Sequence, residues 1–477
     1  MRTITTTSIV VAGALALFGA CSDGDDAAAP PSAPEPDTPG RVPIVVDTDA
    51  GLDDAIALLY LASSPEVDLR AVTVSGTGLA HCFPGARNVV GLLEVAGHTD
   101  VPVACGPEEP MAPPGAAFPD DWRRFTDGRY GDAWRIGQGS LDDRTAPQLL
   151  VDSMRDAAED EQPATLVALG PLTNIAAAAE LDTGFAENVA RVVAMAGAFD
   201  VEGNVQAAQP PPARNVAEWN VYADPAAARA VVRSGMPMAF VPLDATNSVP
   251  LDMYVLRAVA RAQESDALVV ARTLLTGIRG MIDEGEYYLW DPLAAVLTLQ
   301  PELGTIEERS VDVVVDGADV GRTTDAPGGA AVEVFTAADA RAAEQSLIQT
   351  LAGAATDSIS DRADLVIDPV ACSATGAGVG TGPQVVELAP NTPDGTEWGV
   401  AVGVLEPGRG VADIEAFLAA PTEEGPPWFD QAAGLVSGEG GGTADLVELE
   451  RGTYTVVCIE GGFGDMRLQG TTTFTVG

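Results

Sequence analysis

The fold of this chain is decided by residues 43–62, which read PIVVDTDAGLDDAIALLYLA. The short β-branched run at its start predicts a buried parallel strand, and the apolar residues at its end predict a helix. The loop between them carries four aspartates: Asp47, Asp49, Asp53 and Asp54. Open α/β sheets bind ligands at the carboxyl ends of their strands. Because clustered carboxylates repel one another, the loop predicts a site for a hard cation, Ca²⁺ or Mg²⁺. Capping of the helix N-terminus would explain one or two of these aspartates, but not all four.

Length and charge bound the class of protein. The chain has 477 residues, enough for two or three domains. It carries 70 acidic and 25 basic residues, a formal net charge of −45. Such a field repels nucleic acid and anionic membrane surfaces, so neither is a predicted partner.

The N-terminus has the pattern of an export signal. Residues 1–20 combine Arg2 with an apolar run at 9–18, which is too short for an ordinary membrane span. The sequence LFGAC at 17–21 resembles a bacterial lipobox, which implies a lipid anchor at Cys21 as the only membrane contact. Residues 21–41 are then a disordered tether, and the protein lies on the outer face of a bacterial cell membrane. A plain secretory signal cleaved near Ala20 is the alternative.

Four further cysteines follow Cys21, and an exported protein can join them in disulfides. The organisation of the chain suggests the pairs Cys82–Cys105 and Cys372–Cys458, each within one predicted domain.

Two regions of different texture follow the tether. Residues 42–358 alternate strand and helix patterns, which predicts a Rossmann-like α/β fold with a mostly parallel sheet. The six strands are predicted at 42–46, 69–74, 164–169, 191–194, 238–241 and 311–315. Residues 361–477 carry short β patterns punctuated by Gly and Pro, which predicts a separate C-terminal all-β sandwich domain.

Four later segments return to polar side chains after strands. They read GPLTN at 170–174, MAGAF at 195–199, AEWNVYADP at 217–225 and YYLWDPL at 287–293. In this order, and together with DTDAGLDDA, they resemble the inosine–uridine-preferring nucleoside hydrolase family over roughly residues 41–353. The resemblance implies a Rossmann-like sheet with a Ca²⁺ site at the carboxyl ends of its strands.

The family pattern also implies roles for individual residues. Ca²⁺ would be held by the carboxylates of Asp49, Asp54 and Asp291 and by the main-chain carbonyl of Leu169, with Asp47 supporting the loop. Asp49 would also act as the general base toward the attacking water. The residues implied to bind the nucleoside substrate are Asp53, Thr77, Asn204, Glu218 and Asn220. Asn215 is an alternative to Asn204.

Trp290 is a departure from the family pattern, because many members carry a histidine there that protonates the leaving base. An aromatic ring stacked on the base is the substitute that some purine-preferring members use, and we expect Trp290 to act in this way. Trp122, Tyr130 and Trp134 are candidates to assist it. The alternatives are that Trp290 is a packing residue and that His81 supplies the proton.

Two functions from different classes remain after these observations. The first is calcium-dependent hydrolysis of the N-glycosidic bond of ribonucleosides, outside the cytoplasm, by a protein that could also assemble as a homo-oligomer. The second is a catalytically weak nucleoside- or ribose-binding lipoprotein that uses the same calcium pocket. A phosphatase-like reaction ranks below both, because it needs a lysine and the sequence has none. The C-terminal region resembles cupredoxin-like domains but has no histidine after His98, so it lacks copper ligands.

Overall fold

In the computed structural model the described residues are 40–113, 115–208, 210–376, 379–389, 397–421, 425–436, 444–461 and 466–477. The predicted signal peptide, Cys21 and nearly all of the predicted tether lie outside these ranges. None of the helices within them has the length and apolar character needed to cross a membrane.

Nine strands form one sheet in the order β3-β2-β1-β4-β5-β6-β9-β7-β8. All neighbours from β3 to β9 are parallel, and β7 is antiparallel to both β9 and β8. The strands are β1 (Val42–Thr48), β2 (Val67–Val74), β3 (Val103–Cys105), β4 (Thr165–Ala168), β5 (Arg191–Ala194), β6 (Met238–Phe240), β7 (Gly304–Val313), β8 (Thr323–Asp325) and β9 (Ala330–Ala338).

Fifteen helices connect or follow these strands in the described part of the chain. They are α1 (Leu52–Ser63), α2 (Cys82–Val95), α3 (Asp120–Asp127), α4 (Arg129–Asp132), α5 (Ala146–Glu159), α6 (Thr173–Leu181), α7 (Phe185–Asn188), α8 (Trp219–Ala223), α9 (Pro225–Val232), α10 (Leu243–Thr246), α11 (Met253–Arg261), α12 (Asp266–Gly277), α13 (Arg279–Asp283), α14 (Trp290–Leu299) and α15 (Ala340–Ala352). A short 3₁₀ turn spans Pro301–Leu303.

Both faces of the sheet are covered, as the apolar character of its strands predicts. In β1, Ile44 and Val46 pack on one face in a cluster that includes residues of α1, α2 and α14. Val45 points to the other face, where it packs with residues of α5 and α6. The predicted mostly parallel α/β fold is therefore confirmed.

The sixth predicted strand, at 311–315, needs a correction. The structure shows β7 from Gly304 to Val313, running antiparallel to β9 at the edge of the sheet. Most of its first seven side chains are exposed, so its amino-terminal half lacks the apolar pattern by which a buried strand is recognised. Only its last residues, which include the buried Val311 and Val313, carried that signal.

The described residues of the C-terminal region form two four-stranded sheets. Their orders are β11-β10-β12-β15 and β14-β13-β16-β17. The strands are β10 (Leu365–Asp368), β11 (Ser373–Thr375), β12 (Gly382–Leu388), β13 (Trp398–Leu405), β14 (Phe429–Val436), β15 (Ala444–Leu449), β16 (Gly452–Glu460) and β17 (Arg467–Val476), with helix α16 (Val411–Leu418) after β13.

A core of its own lies between these two sheets. Ile367 and Val386 from the first sheet share one apolar cluster with Val402 and Val456 from the second. Cys372 and Cys458 are joined in a disulfide with a Cα–Cα distance of 5.6 Å. This is the β-sandwich architecture expected from the sequence, although residues 41–477 together make up one compact unit. The boundary near residue 360 stays a prediction.

The order of the strands places the functional site. From β1 the chain passes outward through β2 and β3 on one side, and it later passes through β4, β5 and β6 on the other. This reversal makes a crevice at the carboxyl ends of β1 and β4. The aspartate-rich loop follows β1, and Leu169 follows β4.

Candidate functional site

The loop after β1 is folded around the side chain of Asp54. The Asp54 carboxylate accepts hydrogen bonds from the backbone N–H groups of Asp49 (3.1 Å) and Gly51 (2.9 Å), and from the hydroxyl of Thr48. Asp54 lies in the first turn of α1, where the helix dipole also favours a negative charge. The loop is therefore closed by a side chain that is itself a candidate metal ligand.

Asp47 is the anchor beneath the loop. Its Oδ1 accepts hydrogen bonds from the Thr73 hydroxyl (2.6 Å) on β2 and from Asn174 Nδ2 (2.7 Å) on α6. Its backbone carbonyl accepts one from the N–H of Leu169 (2.8 Å). Burial raises the pKa of Asp47 to about 7, against the lowering effect of these two side chains. Asp47 thus ties β1 to β2, to α6 and to the residue that follows β4.

Three carboxylates converge above this anchor. Asp53, Asp54 and Asp291 each place one carboxylate oxygen within 4.8 Å of an oxygen of the other two. Asp291 arrives from the first turn of α14, far along the chain from the loop. Burial, followed by repulsion from Asp54, raises the pKa of Asp291 well above its usual range and that of Asp53 to about 7. A bound cation would remove this repulsion, so the donor set fits a hard divalent ion.

Asp49 lies beside the cluster rather than within it. Its Oδ2 accepts a hydrogen bond from the N–H of Leu79 (3.0 Å). Two glycines leave room for this side chain, because a Cβ on Gly78 would lie 2.2 Å from the Asp49 Cβ and one on Gly170 would lie 2.9 Å from it. Burial, with further repulsion from Asp54, raises the pKa of Asp49 well above its usual range. A carboxyl with a raised pKa in a cleft is suited to proton transfer.

Glu218 and Asn220 organise the neighbouring strand ends. Glu218 caps α8, and its carboxylate also accepts a hydrogen bond from the N–H of Gly197 (3.0 Å). Gly197 has a φ of +89°, a conformation that glycine adopts without strain. Asn220 Nδ2 donates to the carbonyl oxygens of Leu169 (3.1 Å) and Met195 (2.9 Å). The Leu169 carbonyl, a predicted metal ligand, is thereby held in place at the cavity.

The structure places Asn204 at the cavity but Thr77 outside its lining. Asn204 lines the cavity, and its Oδ1 accepts a hydrogen bond from the N–H of Trp219 (3.1 Å). Its alternative, Asn215, does not line the cavity. Thr77 is buried below the site, with its hydroxyl 2.9 Å from those of Ser75 and Thr173, and it is also absent from the lining.

The acidic cluster opens into a cavity of about 870 Å³ with a strongly aromatic lining. Phe118 is stacked on Trp219 with ring centroids 4.1 Å apart, and Trp290 packs edge-on against Tyr287 at 4.7 Å. The aromatic residues that line the cavity are Phe118, Trp122, Phe125, Tyr130, Trp219, Tyr287 and Trp290. Such a surface suits a planar, apolar group bound next to the carboxylates.

Trp290 connects the acidic cluster with the aromatic part of the cavity lining. It directly precedes Asp291 and lines the cavity. Its indole Nε1 is buried and has no hydrogen-bond partner among the described residues. A buried indole N–H usually finds an acceptor, so Trp290 is an exception among the described residues.

Two other sequence candidates lie outside the cavity lining. The Nδ1 atom of His81 is 2.8 Å from the Asp127 carboxylate, at the start of α2. Trp134 is buried in the main core and donates its indole N–H to the Asn88 carbonyl (3.0 Å). Of the predicted assistants to Trp290, Trp122 and Tyr130 do reach the cavity.

Sequence reasoning missed part of the lining. Phe118 had no motif around it, and Ile278 and Met281 belong to a segment that the sequence left unassigned. The i, i+3 spacing of the last two, just before the polar segment at 287–293, was the available signal. Asn174 was quoted within GPLTN, but its bond to Asp47 depends on the neighbouring positions of β1 and α6.

Comparisons with known proteins give a consistent result. The family model described as inosine-uridine preferring nucleoside hydrolase matches residues 44–345. The probable uridine nucleosidase 2 of Arabidopsis thaliana is 31% identical over 295 residues, which cover 59% of this chain and 85% of the relative. The pyrimidine-specific ribonucleoside hydrolase RihA of Escherichia coli is also 31% identical, over 288 residues that cover 58% and 85%.

A solved structure shares the fold of the matched region. The plant nucleoside hydrolase PpNRh1 superposes with a TM-score of 0.56 at 28% identity, covering 65% of this chain and 99% of that chain. Residues 365–476, which carry the C-terminal strands, lie beyond the family match.

Proposed function

Because this chain belongs to the inosine-uridine preferring nucleoside hydrolase family, we propose that it hydrolyses the N-glycosidic bond of ribonucleosides to ribose and free base. The observation that carries this proposal is the convergence of Asp53, Asp54 and Asp291 at the edge of an aromatic cavity. A charged, oxygen-rich end suits a sugar with its attacking water, and an aromatic end suits a base.

Calcium is the cofactor that this donor set fits. Asp54 and Asp291 would hold it together with Asp49 and the Leu169 carbonyl, all of which line the cavity. When bound, the ion lowers the pKa of a coordinated water and neutralises the carboxylates around it. Asp53 lies close enough to Asp54 and Asp291 to be either a further ligand or an acceptor for ribose hydroxyls.

The chain's own residues supply proton transfer and orientation. Asp49 would take the proton of the attacking water, because its carboxylate lines the cavity and is held by the N–H of Leu79. Glu218 and Asn204 face the cavity and would bind hydroxyl groups of the ribose. Asn220 also lines the cavity and would bind the ribose with them, while its Nδ2 orients the Leu169 carbonyl. The carboxylates together stabilise positive charge that develops on the ribosyl group.

Departure of the base falls to Trp290. Its ring lines the cavity and would stack on the base. A purine offers the larger surface to this aromatic lining, so we expect purine nucleosides to be preferred. The two relatives named above are described as acting on uridine and on pyrimidine ribonucleosides, so both base classes belong in the test.

We also propose that the protein acts outside the cytoplasm as a lipoprotein anchored at Cys21. The lipobox-like LFGAC sequence supports this, as do the two disulfides, Cys82–Cys105 and Cys372–Cys458. Residues 361–477 would be a module that folds on its own and supplies no group to the chemical step, since they have a core of their own. Cys21→Ala should move the protein from the membrane fraction to the soluble fraction, and an unchanged distribution would contradict the anchor.

The decisive experiment is turnover of a panel of nucleosides by the purified protein. We expect inosine, guanosine and uridine to release reducing sugar, excess EDTA to abolish the release, and added Ca²⁺ to restore it. Nucleoside binding without any turnover, at any calcium concentration, would instead support the binding-lipoprotein alternative. Turnover that is insensitive to EDTA would contradict the calcium mechanism.

A further inference from the structure

Residues 278–290 form one side of the cavity and are called the wall segment below. Five of its side chains line the cavity: Ile278, Met281, Glu286, Tyr287 and Trp290. Its later part is held by the body of the protein, since the Tyr287 carbonyl accepts a hydrogen bond from the N–H of Leu251 (3.0 Å). Its earlier part contains the five-residue helix α13.

Arg279 joins this earlier part to the C-terminal region. Its Nη1 donates to the carbonyl of Leu446 (3.0 Å) on β15, and its Nη2 forms an ion pair with the Asp445 carboxylate. Leu446 also packs against the main apolar core. Arg279 itself does not line the cavity, although Ile278 and Met281 on either side of it do. The contact therefore restrains the wall segment through a residue that is not part of the cavity lining.

The support on the other side of this contact is itself firmly attached. β15 pairs with β12, and β12 lies against α11. From α11, the almost fully buried Arg257 donates to the carbonyls of Ser360 (2.6 Å) and Arg362 (2.9 Å) and to Asp364 (2.8 Å). Charge-assisted hydrogen bonds of this kind are among the stronger contacts in proteins. The sheet that carries β15 is thus a fixed point for the wall.

We propose that Arg279 is a positioning residue, through which the C-terminal β region holds the wall segment in its substrate-binding position. The inference rests on the proposed function, because it concerns the same cavity. It gives the region beyond the family match a role in the reaction: the region orders the surface that receives the base. The acidic cluster is built from α1 and α14, and Arg279 forms its ion pairs with Asp445 and Asp283, which lie outside that cluster.

The expected signature is a change in substrate binding rather than in chemistry. If the earlier part of the wall segment must be ordered by the substrate itself, binding becomes weaker, while Trp290 stays in place at the start of α14. Because Arg279 and Asp445 are partly exposed, we expect a moderate rise in KM for inosine, about three- to tenfold, with kcat nearly unchanged.

The experiment uses the full chain and four variants. Arg279→Met and Asp445→Asn remove the contact from its two sides, and Arg279→Lys retains a positive charge with fewer donors. Arg261→Met is the matched control, since Arg261 also bonds to the C-terminal region, at the Pro383 carbonyl (2.9 Å), but does not line or adjoin the cavity. KM and kcat for inosine are measured together with amide hydrogen exchange of residues 278–290.

We expect faster exchange in the wall segment and a raised KM in Arg279→Met and Asp445→Asn, partial recovery in Arg279→Lys, and neither change in Arg261→Met. Unchanged exchange in both contact variants would overturn the proposal, as would faster exchange with an unaltered KM. Exchange does not require turnover, so the two failures can be told apart. If the wild type hydrolyses no nucleoside, the proposed function fails, and the affinity for inosine replaces KM in deciding the role of Arg279.

Discussion

Asp291→Asn should raise the stability of the calcium-free protein and reduce the stabilisation that calcium provides, because it removes one charge from the acidic cluster. The three cluster oxygens lie within 4.8 Å of one another, and Asp291 takes part in two of the three pairs. Two unit charges at that distance repel by about 3 kcal/mol when the effective dielectric constant is about 20. Because relaxation, entering water and partial protonation of carboxyls with raised pKa values reduce this repulsion, we expect the calcium-free variant to be about 1–3 kcal/mol more stable than the calcium-free wild type.

Calcium should stabilise the wild type more than the variant. A ligand at a hundred times its dissociation constant stabilises the native state by about 2.7 kcal/mol. The variant has lost a charged ligand, so it should show little of this gain, and its kcat/KM should fall by at least about a hundredfold. The assay is urea unfolding followed by tryptophan fluorescence, in excess EDTA and in excess Ca²⁺, together with release of reducing sugar.

Asp224→Asn is the matched control for this prediction. Asp224 is equally buried, but its carboxylate accepts hydrogen bonds from the N–H groups of Met111 (2.7 Å) and Ala227 (3.0 Å) and from the Thr173 hydroxyl (2.9 Å). Its replacement should lower stability and leave the calcium gain intact. If Asp291→Asn instead loses stability in EDTA and keeps the full calcium gain, the cluster is not a cation site.

Four further outcomes follow from the site and the fold. Asp49→Ala should lower kcat by at least about 10³-fold, because one residue is assigned both proton transfer and metal binding; near-normal release of ribose would rule out that assignment. Trp290→Ala should lower kcat for inosine more than for uridine, since stacking is worth roughly 1–3 kcal/mol per base, and Trp290→Phe should keep part of the rate; equal, small effects on both substrates would leave Trp290 as a packing residue. A chain ending at residue 360 should stay folded and active with a raised KM, because the C-terminal core is its own; an insoluble product would mean that the two regions share a core. Glu344 is fully buried beside Arg341, and burial raises the pKa of its carboxyl from 4.5 to about 7. Between pH 4.5 and about 7 the Glu344 carboxyl is ionised in the unfolded chain and protonated in the folded chain. The free energy of unfolding therefore falls as pH rises through this range, by up to about 3 kcal/mol. Glu344→Gln should remove this fall in urea unfolding at about pH 5 and about pH 8, and an identical pH dependence in the variant would contradict it.

Much of the site was predictable because its parts are local in sequence. The β-branched run before Asp47 and the apolar run after Asp54 determine a strand, a loop and a helix over one short stretch. Hydrophobic periodicity is a short-range signal, so it also located β2, β5 and most of the C-terminal strands. The joining of Cys82 to Cys105, with a Cα–Cα distance of 5.5 Å, followed from their places along the chain.

Other features depended on contacts between distant residues. The resemblance assigned Asp49 to the metal and Asp53 to the ribose, whereas the structure groups Asp53 with Asp54 and Asp291. Thr77 sits in a loop with the expected spacing, yet its hydroxyl is taken up by Ser75 and Thr173 below the cavity. Which atoms of a loop face a ligand is set by the neighbours packed against them, and sequence spacing does not contain that information.

The sequence by itself determined the chemistry that this protein carries, namely a cluster of carboxylates after a buried strand and an aromatic residue beside Asp291. Only the tertiary structure decided how these groups meet. The reversal of strand order between β1 and β4 brings the loop to Leu169, and the packing of α14 on α1 brings Asp291 to it. The contact from Arg279 to β15 joins residues far apart in the chain. Local preferences act over a few residues, whereas the sheet order and the packing of distant surfaces act over the whole chain, and they are what bring a charge on one element next to a charge on another.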